Sequence, residues 1–410
     1  MKTILATTYA VNPYNGSEDG MGWNYVMQIA SNQKVIAITR ENNRMAIEEY
    51  MRENPDPVYE NIRFEYFDLP YWMRFWKRKS RGALLYFLLW QAAIPSFVKK
   101  KNLLFDIAHN LNFHNDWSPS FLWKLNKPFV WGPIGHHPAI PKQFRKRLST
   151  KEKVRDTLTW LVKKYFWTLS PSLKKTVSKA EHIWCMNTSV PTVINLADKN
   201  YGIEPSVAAD DPGETNIWKS RHGFFHLISA GRFVPLKGID LTLAAYARFL
   251  QMLSDHQRQH VQLTLVGRGP EEPIYQKYIR DHQLEEYVHI IRWIKRDKLM
   301  NMFGRSDAFI FPSHEGAGMV VPEALSYGLP VICLDNYGPG EFVDSRSGVV
   351  VSGDSYQDTV EALAQAIYLL YSDPHKLEAL KSGARKRFKE KFEWSVRGQH
   401  LNNIYNSIKS

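Results

Sequence analysis

The feature that most constrains the fold of this 410-residue chain is a repeated alternation of short apolar runs with longer amphipathic stretches. The short runs are rich in β-branched residues and predict buried strands, whereas the longer stretches have the period of helices. Strands that alternate with helices in this way form βαβ units around parallel sheets. A chain of this length is long enough for two domains built in this way, so the sequence predicts an α/β fold with two domains.

The alternation also predicts where the domains begin and end. Strands are predicted at 3–8, 35–38, 62–67, 105–109, 129–131 and 182–186, and again at 225–230, 262–266, 288–291, 308–311, 330–334 and 348–351. Between 187 and 222 the alternation stops, and Asp-Asp-Pro-Gly at 210–213 is typical of a turn. We therefore predict a first domain over 1–195, a linker over 196–222, a second domain over 223–388, and a terminal helix over 389–410 that crosses back to the first.

The net charge of +12 is unevenly distributed. Residues 61–180 contain 23 Lys and Arg against 6 Asp and Glu. Trp72 and Trp76 lie close to the basic run at 77–79. Such a composition fits a surface that contacts anionic lipid headgroups, but a solvated basic face explains it equally well. The uncharged segment 82–98 is too short for a membrane span and predicts a buried or interfacial helix. Cys185 and Cys333 lie far apart and predict neither a disulfide nor a metal pair.

The most informative motif is HEGAGMVVPEALSYGLPVI at 314–332. Glu315 and Glu323 lie eight residues apart, and Gly316 and Gly318 between them let backbone amides approach a phosphate closely. Carboxylates repel phosphate but accept hydrogen bonds from hydroxyl groups. The combination predicts a nucleotide sugar held by its phosphate and its hydroxyls.

A second motif, SAGRFVPLKGIDL at 229–241, also follows a predicted strand. Arg232 and Lys237 are five residues apart, and Gly231 and Gly238 permit a tight turn. Two cations at a strand end suit a diphosphate leaving group without a divalent metal. The chain has no Asp-x-Asp pair for a nucleotide-bound metal. We therefore expect no metal and no cofactor. The alternative interpretation of this pair is a surface salt-bridge cluster.

Together these segments resemble glycosyltransferase family 4, whose members have the GT-B fold of two Rossmann-like domains facing across a cleft. The resemblance rests on Gly-Arg at 231–232, Lys-Gly at 237–238, Val-Gly-Arg-Gly-Pro at 266–270 and the two glutamates. It implies that Arg232 and Lys237 bind the donor diphosphate, that Glu315 holds the donor sugar and that Glu323 holds the ribose. It also implies that the following residues contact the donor: Gly231, Gly267, Gly269, Gly316, Ala317, Gly318, Met319 and Val320.

The resemblance is weaker in the first half. Gly16 and Ser17 resemble a loop that closes over the donor phosphates. Family members often carry a His-x-His pair after the fourth strand, and here His109 or His114 could stand for its catalytic member, although Leu111 occupies the second position. The pair His136 and His137 follows a Gly-Pro-Ile-Gly run and suggests an acceptor-side contact.

These observations predict a retaining glycosyltransferase that takes a UDP- or GDP-type sugar donor. The acceptor would be a lipid-linked, polysaccharide or other envelope glycan, and an anionic membrane surface is a further partner. Two other functions fit the same residues: an epimerase acting on nucleotide sugars, and a non-catalytic nucleotide-sugar-binding subunit of an envelope-assembly complex. Nucleic-acid binding is not expected. The predicted location is the cytoplasm, with the basic surface at the inner face of the membrane.

Overall fold

The computed structural model describes residues 1–77, 82–111, 115–147, 150–214 and 223–409. The chain forms two compact units. The first contains residues 1–136, 154–206 and 394–410, and the second contains residues 137–153 and 207–393. Each unit is built around one parallel sheet.

The strands of the first unit are β1 (Thr3–Thr8), β2 (Lys34–Thr39), β3 (Ile62–Tyr66), β4 (Ile107–Leu111), β5 (Phe129–Ile134), β6 (His182–Cys185) and β7 (Tyr201–Ile203). Those of the second are β8 (Phe225–Ala230), β9 (Val261–Val266), β10 (Val288–Ile291), β11 (Ala308–Phe311), β12 (Val331–Leu334) and β13 (Gly348–Val351). The first sheet has the order β3-β2-β1-β4-β5-β6-β7, and the second has β10-β9-β8-β11-β12-β13. Both are Rossmann-like orders, in which the first strand of the unit lies beside the second and the fourth.

The helices of the first half are α1 (Ser17–Ala30), α2 (Arg44–Glu53), α3 (Ala83–Lys100), α4 (Thr150–Thr168), α5 (Pro171–Lys179) and α6 (Val190–Val193). Those of the second half are α7 (Ile239–Gln251), α8 (Asp255–Arg258), α9 (Glu272–Asp281), α10 (Arg296–Phe303), α11 (Val320–Ser326), α12 (Pro339–Phe342), α13 (Tyr356–Ser372), α14 (Pro374–Lys391) and α15 (Trp394–Ser407). In the second unit α13 packs against α7, and in the first unit α15 packs against α1.

Helix α3 contains the uncharged segment 82–98 except for Gly82, which is the residue before the helix. Its side chains Tyr86, Trp90 and Ile94 are almost completely buried in the core of the first unit. The spacing of four residues between them places them on one face of the helix. Among the described helices, none is both long enough and apolar enough to cross a membrane.

The boundaries of the two units differ from those predicted from the sequence. The predicted linker contains β7, whose three residues pair with β6 and extend the first sheet. A strand of three residues with both ends exposed carries too little apolar pattern to be recognised in advance. Residues 137–153 belong to the second unit, although the sequence placed them in the first. The terminal residues 394–410 belong to the first unit.

His109 lies in β4 and is completely buried. Its Nε2 lies 2.7 Å from the carbonyl oxygen of Gly132, and its Nδ1 lies 2.7 Å from the hydroxyl of Tyr405 in α15. Because a carbonyl oxygen can only accept, Nε2 donates to Gly132 and Nδ1 accepts from Tyr405. Burial lowers the pKa of His109 to about 3. The predicted catalytic role for His109 is therefore wrong, since Nε2 is used within the sheet and Nδ1 joins the sheet to α15.

This buried histidine predicts a specific loss of stability in acid. The folded pKa lies below that of the unfolded chain, so the unfolded state takes up a proton first and stability falls as the pH drops below about 6.5. Between pH 7 and pH 5 the free energy of unfolding of the wild type should fall by about 2 kcal/mol more than that of His109→Gln. Urea titrations followed by tryptophan fluorescence measure this difference. His375→Gln, at an exposed position on α14, should behave like the wild type, and equal losses in wild type and His109→Gln would contradict the assignment.

Candidate functional site

The strand order of the second sheet brings the two main sequence motifs together. Strand β8 pairs with β11, and the two are parallel, so their carboxyl ends lie side by side. The order of strands reverses at this pair, and ligands of open α/β sheets bind where such a reversal occurs. Arg232 and Lys237 follow β8, and Glu315 follows β11. Residues 83 positions apart in the chain thus belong to one site.

Lys237 and Glu315 form a direct ion pair. The Nζ of Lys237 donates to Oε2 of Glu315 across 2.6 Å, and the two side chains are 15% and 19% exposed. The same Nζ lies 5.0 Å from the centre of the Phe311 ring, where the electron-rich ring face favours a cation. The pair fixes the loop after β8 to the loop after β11. The three N–H donors of the ammonium leave Lys237 able to bond a further acceptor at the same time.

Arg232 differs from Lys237 in being exposed. In the described part of the chain, neither an ion pair nor a hydrogen bond is recorded for its guanidinium. A solvated guanidinium beside a half-buried ammonium offers planar, paired donors to an incoming anion. The arrangement suits a diphosphate better than a single carboxylate.

Two glycines allow the loops of the site to approach each other. Gly238 has a φ of 66°, and a Cβ there would overlap the carbonyl of Pro312 in the loop after β11. Gly267 has a φ of 150°, and a Cβ there would overlap the carbonyl of Gly231. The turn at 267–269 is fixed further by a hydrogen bond of 3.0 Å from the Phe233 amide to the Arg268 carbonyl. The loops after β8, β9 and β11 therefore form one closely packed surface.

Asn336 fixes the loop that carries Glu315. Its Nδ2 donates to the carbonyl of Ser313 across 2.6 Å, and its Oδ1 accepts from the amides of Gly338 and Gly340 at 3.1 and 3.3 Å. Asn336 was not identified from the sequence. The signal available was its position two residues beyond β12, at the same edge of the sheet as Glu315.

The acceptor-side contact of His137 stays a prediction. His137 belongs to the second unit, and its Nδ1 accepts a hydrogen bond of 3.2 Å from the amide of Gly316. The neighbouring His136 belongs to the first unit, where it is buried and bonded through Nδ1 to Asp116 at 2.8 Å. Burial under Trp160 leaves His136 inaccessible to an acceptor. The adjacent histidines therefore have separate roles.

His314 precedes Glu315 and was not assigned a role from the sequence. Its ring centre lies 4.7 Å from that of Phe144, and burial lowers its pKa to about 4. A hollow of about 230 Å³ adjoins it, lined by His314, Glu315, Asn336, Leu334, Val351 and the segment 138–144 among others. His314 is neutral at physiological pH, and most of the hollow's lining is apolar, with Asp335 as a further acidic residue beside Glu315.

The backbone between the two glutamates has unused donors. The structure records no hydrogen bond from the amides of Ala317, Gly318 or Met319 to any described residue. Helix α11 begins directly afterwards at Val320. Amides without a protein partner at the start of a helix bind phosphate oxygens well.

Glu323 lies at the first turn of α11 and is mostly buried. Its Oε1 accepts from Nη2 of Arg296 across 2.5 Å. Burial raises the pKa of Glu323, and Arg296 opposes this rise. Arg296 begins α10 and was not identified from the sequence. A carboxylate that is desolvated but held by one arginine retains a free oxygen for a hydroxyl group.

The remaining predicted residues lie in the first unit or outside the described residues. Gly16 is the last residue of the loop after β1, and Ser17 is the first residue of α1. Both residues are exposed. Ser17 has a φ of 59°, in the left-handed region. Their contact with a donor stays a prediction. His114 lies outside the described residues. The described residues include no group of three or more His, Cys, Asp or Glu side chains that could hold a metal ion.

The close approach at Gly267 predicts the effect of a single methyl group. Gly267→Ala should lower the free energy of unfolding by at least about 2 kcal/mol, because the added Cβ overlaps the Gly231 carbonyl at a strained φ. Thermal or urea denaturation measures the loss. Gly16→Ala is the control, since a Cβ there meets no atom within 4 Å and the φ of −86° suits alanine. Equal stability of the two variants would show that the loops do not pack as described.

Comparison with known proteins finds sequence similarity in the second half of the chain. The model of the family Glycosyl transferases group 1 matches residues 213–387. A GDP-mannose-dependent phosphatidylinositol monomannoside mannosyltransferase of Mycolicibacterium smegmatis is 27% identical over 49% of this chain and 53% of its own length. A D-inositol 3-phosphate glycosyltransferase of Streptomyces bingchenggensis is 30% identical over 43% of this chain and 39% of its own. The chain thus spans about half the length of the curated relatives it matches.

Solved structures resemble the whole chain at low sequence identity. Anabaena HepE in complex with UDP has a TM-score of 0.64 and 15% identity over the full length of both chains. The sucrose-phosphate synthase of Thermosynechococcus elongatus has a TM-score of 0.67 and 16% identity over 99% of both. These likenesses establish the fold. The chain has the GT-B fold with two Rossmann-like domains, and its residues 213–387 carry the sequence pattern of Glycosyl transferases group 1.

Proposed function

We propose that the protein transfers a sugar from a nucleoside-diphosphate donor to an acceptor hydroxyl, with retention of the anomeric configuration and without a metal ion. The observation that carries this proposal is the cluster of Arg232, Lys237 and Glu315 at the strand reversal of the second sheet. A cation open to solvent, a half-buried cation and a carboxylate there match the diphosphate and the hydroxyls of one ligand.

The diphosphate would lie between the two cations and the free amides of 317–319. Arg232 can donate two parallel hydrogen bonds to a phosphate, while Lys237 supplies a compact charge. When the bond between sugar and phosphate breaks, negative charge grows on the leaving oxygen. Cations already held in place stabilise that charge at little reorganisation cost. The same role in other enzymes is often filled by a divalent metal.

Glu315 would accept hydrogen bonds from the donor sugar, and Glu323 from the ribose. Each carboxylate has one oxygen bonded to a cation, Lys237 or Arg296, and another oxygen available. The ion pairs fix both carboxylates before the ligand arrives, which lowers the entropy cost of binding. The mostly apolar hollow beside His314 would border the sugar on its far side.

Retention follows in this proposal from attack on the same face of the sugar that the diphosphate leaves. Glu315 is the carboxylate nearest the expected sugar, and its ion pair with Lys237 makes it a poor covalent nucleophile. The leaving phosphate oxygen would instead take the proton of the acceptor hydroxyl as the new bond forms. Arg232 and Lys237 would hold that oxygen within reach of the acceptor.

The relatives guide the choice of substrates. One is named for GDP-mannose and a phosphatidylinositol mannoside, and a structural neighbour is described in complex with UDP. We therefore propose a UDP- or GDP-type donor and a glycan or lipid-linked acceptor. Cys185 and Cys333 are both free and buried, which agrees with a cytoplasmic location.

Binding of the donor can be tested before the acceptor is known. In the presence of EDTA, one nucleoside diphosphate at about 100 times its dissociation constant should raise the midpoint of thermal unfolding by about 5 °C or more. Arg232→Ala should weaken its binding by about 10- to 100-fold, because a charge-assisted bidentate contact is lost. Arg248→Ala is the matched control, since Arg248 lies at the far end of α7 and pairs with Glu361. Stabilisation that needs a divalent metal, or equal binding by both variants, would refute the proposed site.

The reaction itself is tested by the configuration of the product. With the donor identified, NMR of the transferred sugar should show the anomeric configuration of the donor. Lys237→Ala should reduce kcat by about 100-fold or more, because it removes charge stabilisation of the leaving group. Inverted product would overturn the proposed mechanism. A donor converted to a different sugar nucleotide without any acceptor would identify an epimerase instead.

A further inference from the structure

Helix α4 has one face packed on the first unit. Trp160 and Trp167 lie against the ring of His136, with ring centres 6.0 and 5.1 Å away, and Phe166 lies 5.4 Å from Trp117. His136 follows β5 by two residues, so this face covers the carboxyl edge of the first sheet. These contacts fix which side of α4 points inward.

The opposite face of α4 is apolar and exposed. Its members recur every three or four residues and fall within a stripe about 100° wide on a helix of 3.6 residues per turn. They are between 44% and 59% exposed: Val154, Leu158, Leu161, Val162 and Tyr165. Leu169, just beyond the helix, is 65% exposed. Scattered exposed leucines are ordinary, but a continuous stripe over about three turns marks an interaction surface.

A second exposed apolar group lies at the same edge of the sheet. Tyr71, Trp72 and Phe75 are all more than 60% exposed. They follow the carboxyl end of β3 by a few residues, and all strands of this sheet are parallel. Tryptophan and tyrosine are the side chains that favour the boundary between lipid and water.

The part of the sequence that contains both groups is strongly basic. Residues 61–180, which contain both, have 23 Lys and Arg against 6 Asp and Glu. Lys153 and Lys164 are exposed and lie on one flank of the α4 stripe. Long basic side chains beside an apolar stripe allow the apolar groups to enter a bilayer while the charges contact the headgroups.

We propose that the exposed face of α4, together with Tyr71, Trp72 and Phe75, docks on the surface of an anionic phospholipid bilayer. The helix lies in the plane of the headgroups and inserts its leucines beneath them. A second copy of the chain fits this surface less well, because two equally basic faces repel each other. The inference does not depend on the proposed glycosyl transfer, since its test measures membrane binding alone.

The test is flotation of the full chain with vesicles of phosphatidylcholine, with and without phosphatidylglycerol. The wild type should bind the anionic vesicles and bind phosphatidylcholine at least tenfold more weakly. The double variant Leu158→Gln/Leu161→Gln, which changes no charge, should reduce the apparent partition coefficient by at least about tenfold. Leu104→Gln is the matched control, since Leu104 is an exposed leucine of the same unit outside the stripe. It should bind like the wild type.

Three results would overturn the proposal. The first is absence of wild-type binding to anionic vesicles, and the second is equal binding by the double variant and the wild type. The third is a wild type that sediments as a dimer while the double variant is monomeric, because the stripe would then join two copies. Circular dichroism and an unchanged midpoint of thermal unfolding would show that the double variant is folded, so that its loss of binding reports on the surface.

Discussion

The pairing of β8 with β11 is the constraint on which the rest of the second unit's site depends. A parallel sheet places all carboxyl ends at one edge, and the reversal of strand order leaves a gap there between two loops. The Lys237–Glu315 ion pair spans those loops. Breaking a half-buried pair leaves the remaining charge poorly solvated, so neither partner can be removed without disturbing the other. The loops, the glycines that let them touch and the free amides of 317–319 all depend on this geometry.

Burial separates histidines that look alike in the sequence. His109 uses both ring nitrogens inside the first unit, and His136 is enclosed with Asp116. His137 bonds the amide of Gly316, and His314 is held neutral by desolvation. A histidine can take part in proton transfer or recognition only where a ring nitrogen reaches the ligand. The sequence places all four near strand ends, but only the tertiary contacts show which of them border the candidate site.

Local pattern predicted the strands well and the tertiary assignments less well. The ranges predicted for β1, β8, β10, β11 and β13 equal those observed, because each is an apolar run bounded by polar or turn residues. The motifs around Arg232 and Glu315 were found because strand ends are where parallel sheets bind ligands. The predictions that failed concern contacts between distant parts of the chain. Strand β7 forms because it pairs with β6, and residues 137–153 belong to the unit that also contains residues 207–393. The contacts of Asn336, His137 and Arg296 could not be predicted either, because spacing along the chain does not show which residues they touch.

The chain's positive charge is arranged in two physically different ways. In the second unit a few cations are fixed by partners and loops, and Lys237 is only 15% exposed. In residues 61–180 there are 23 Lys and Arg against 6 Asp and Glu, and the exposed Lys153 and Lys164 lie beside the apolar stripe of α4. Fixed, half-buried cations act over a few ångströms and can discriminate a diphosphate from other anions. Solvated cations are screened within about 10 Å and attract any dense anionic surface without selecting a partner. One net charge of +12 can therefore provide both selective binding of a small ligand and general attraction to a large surface.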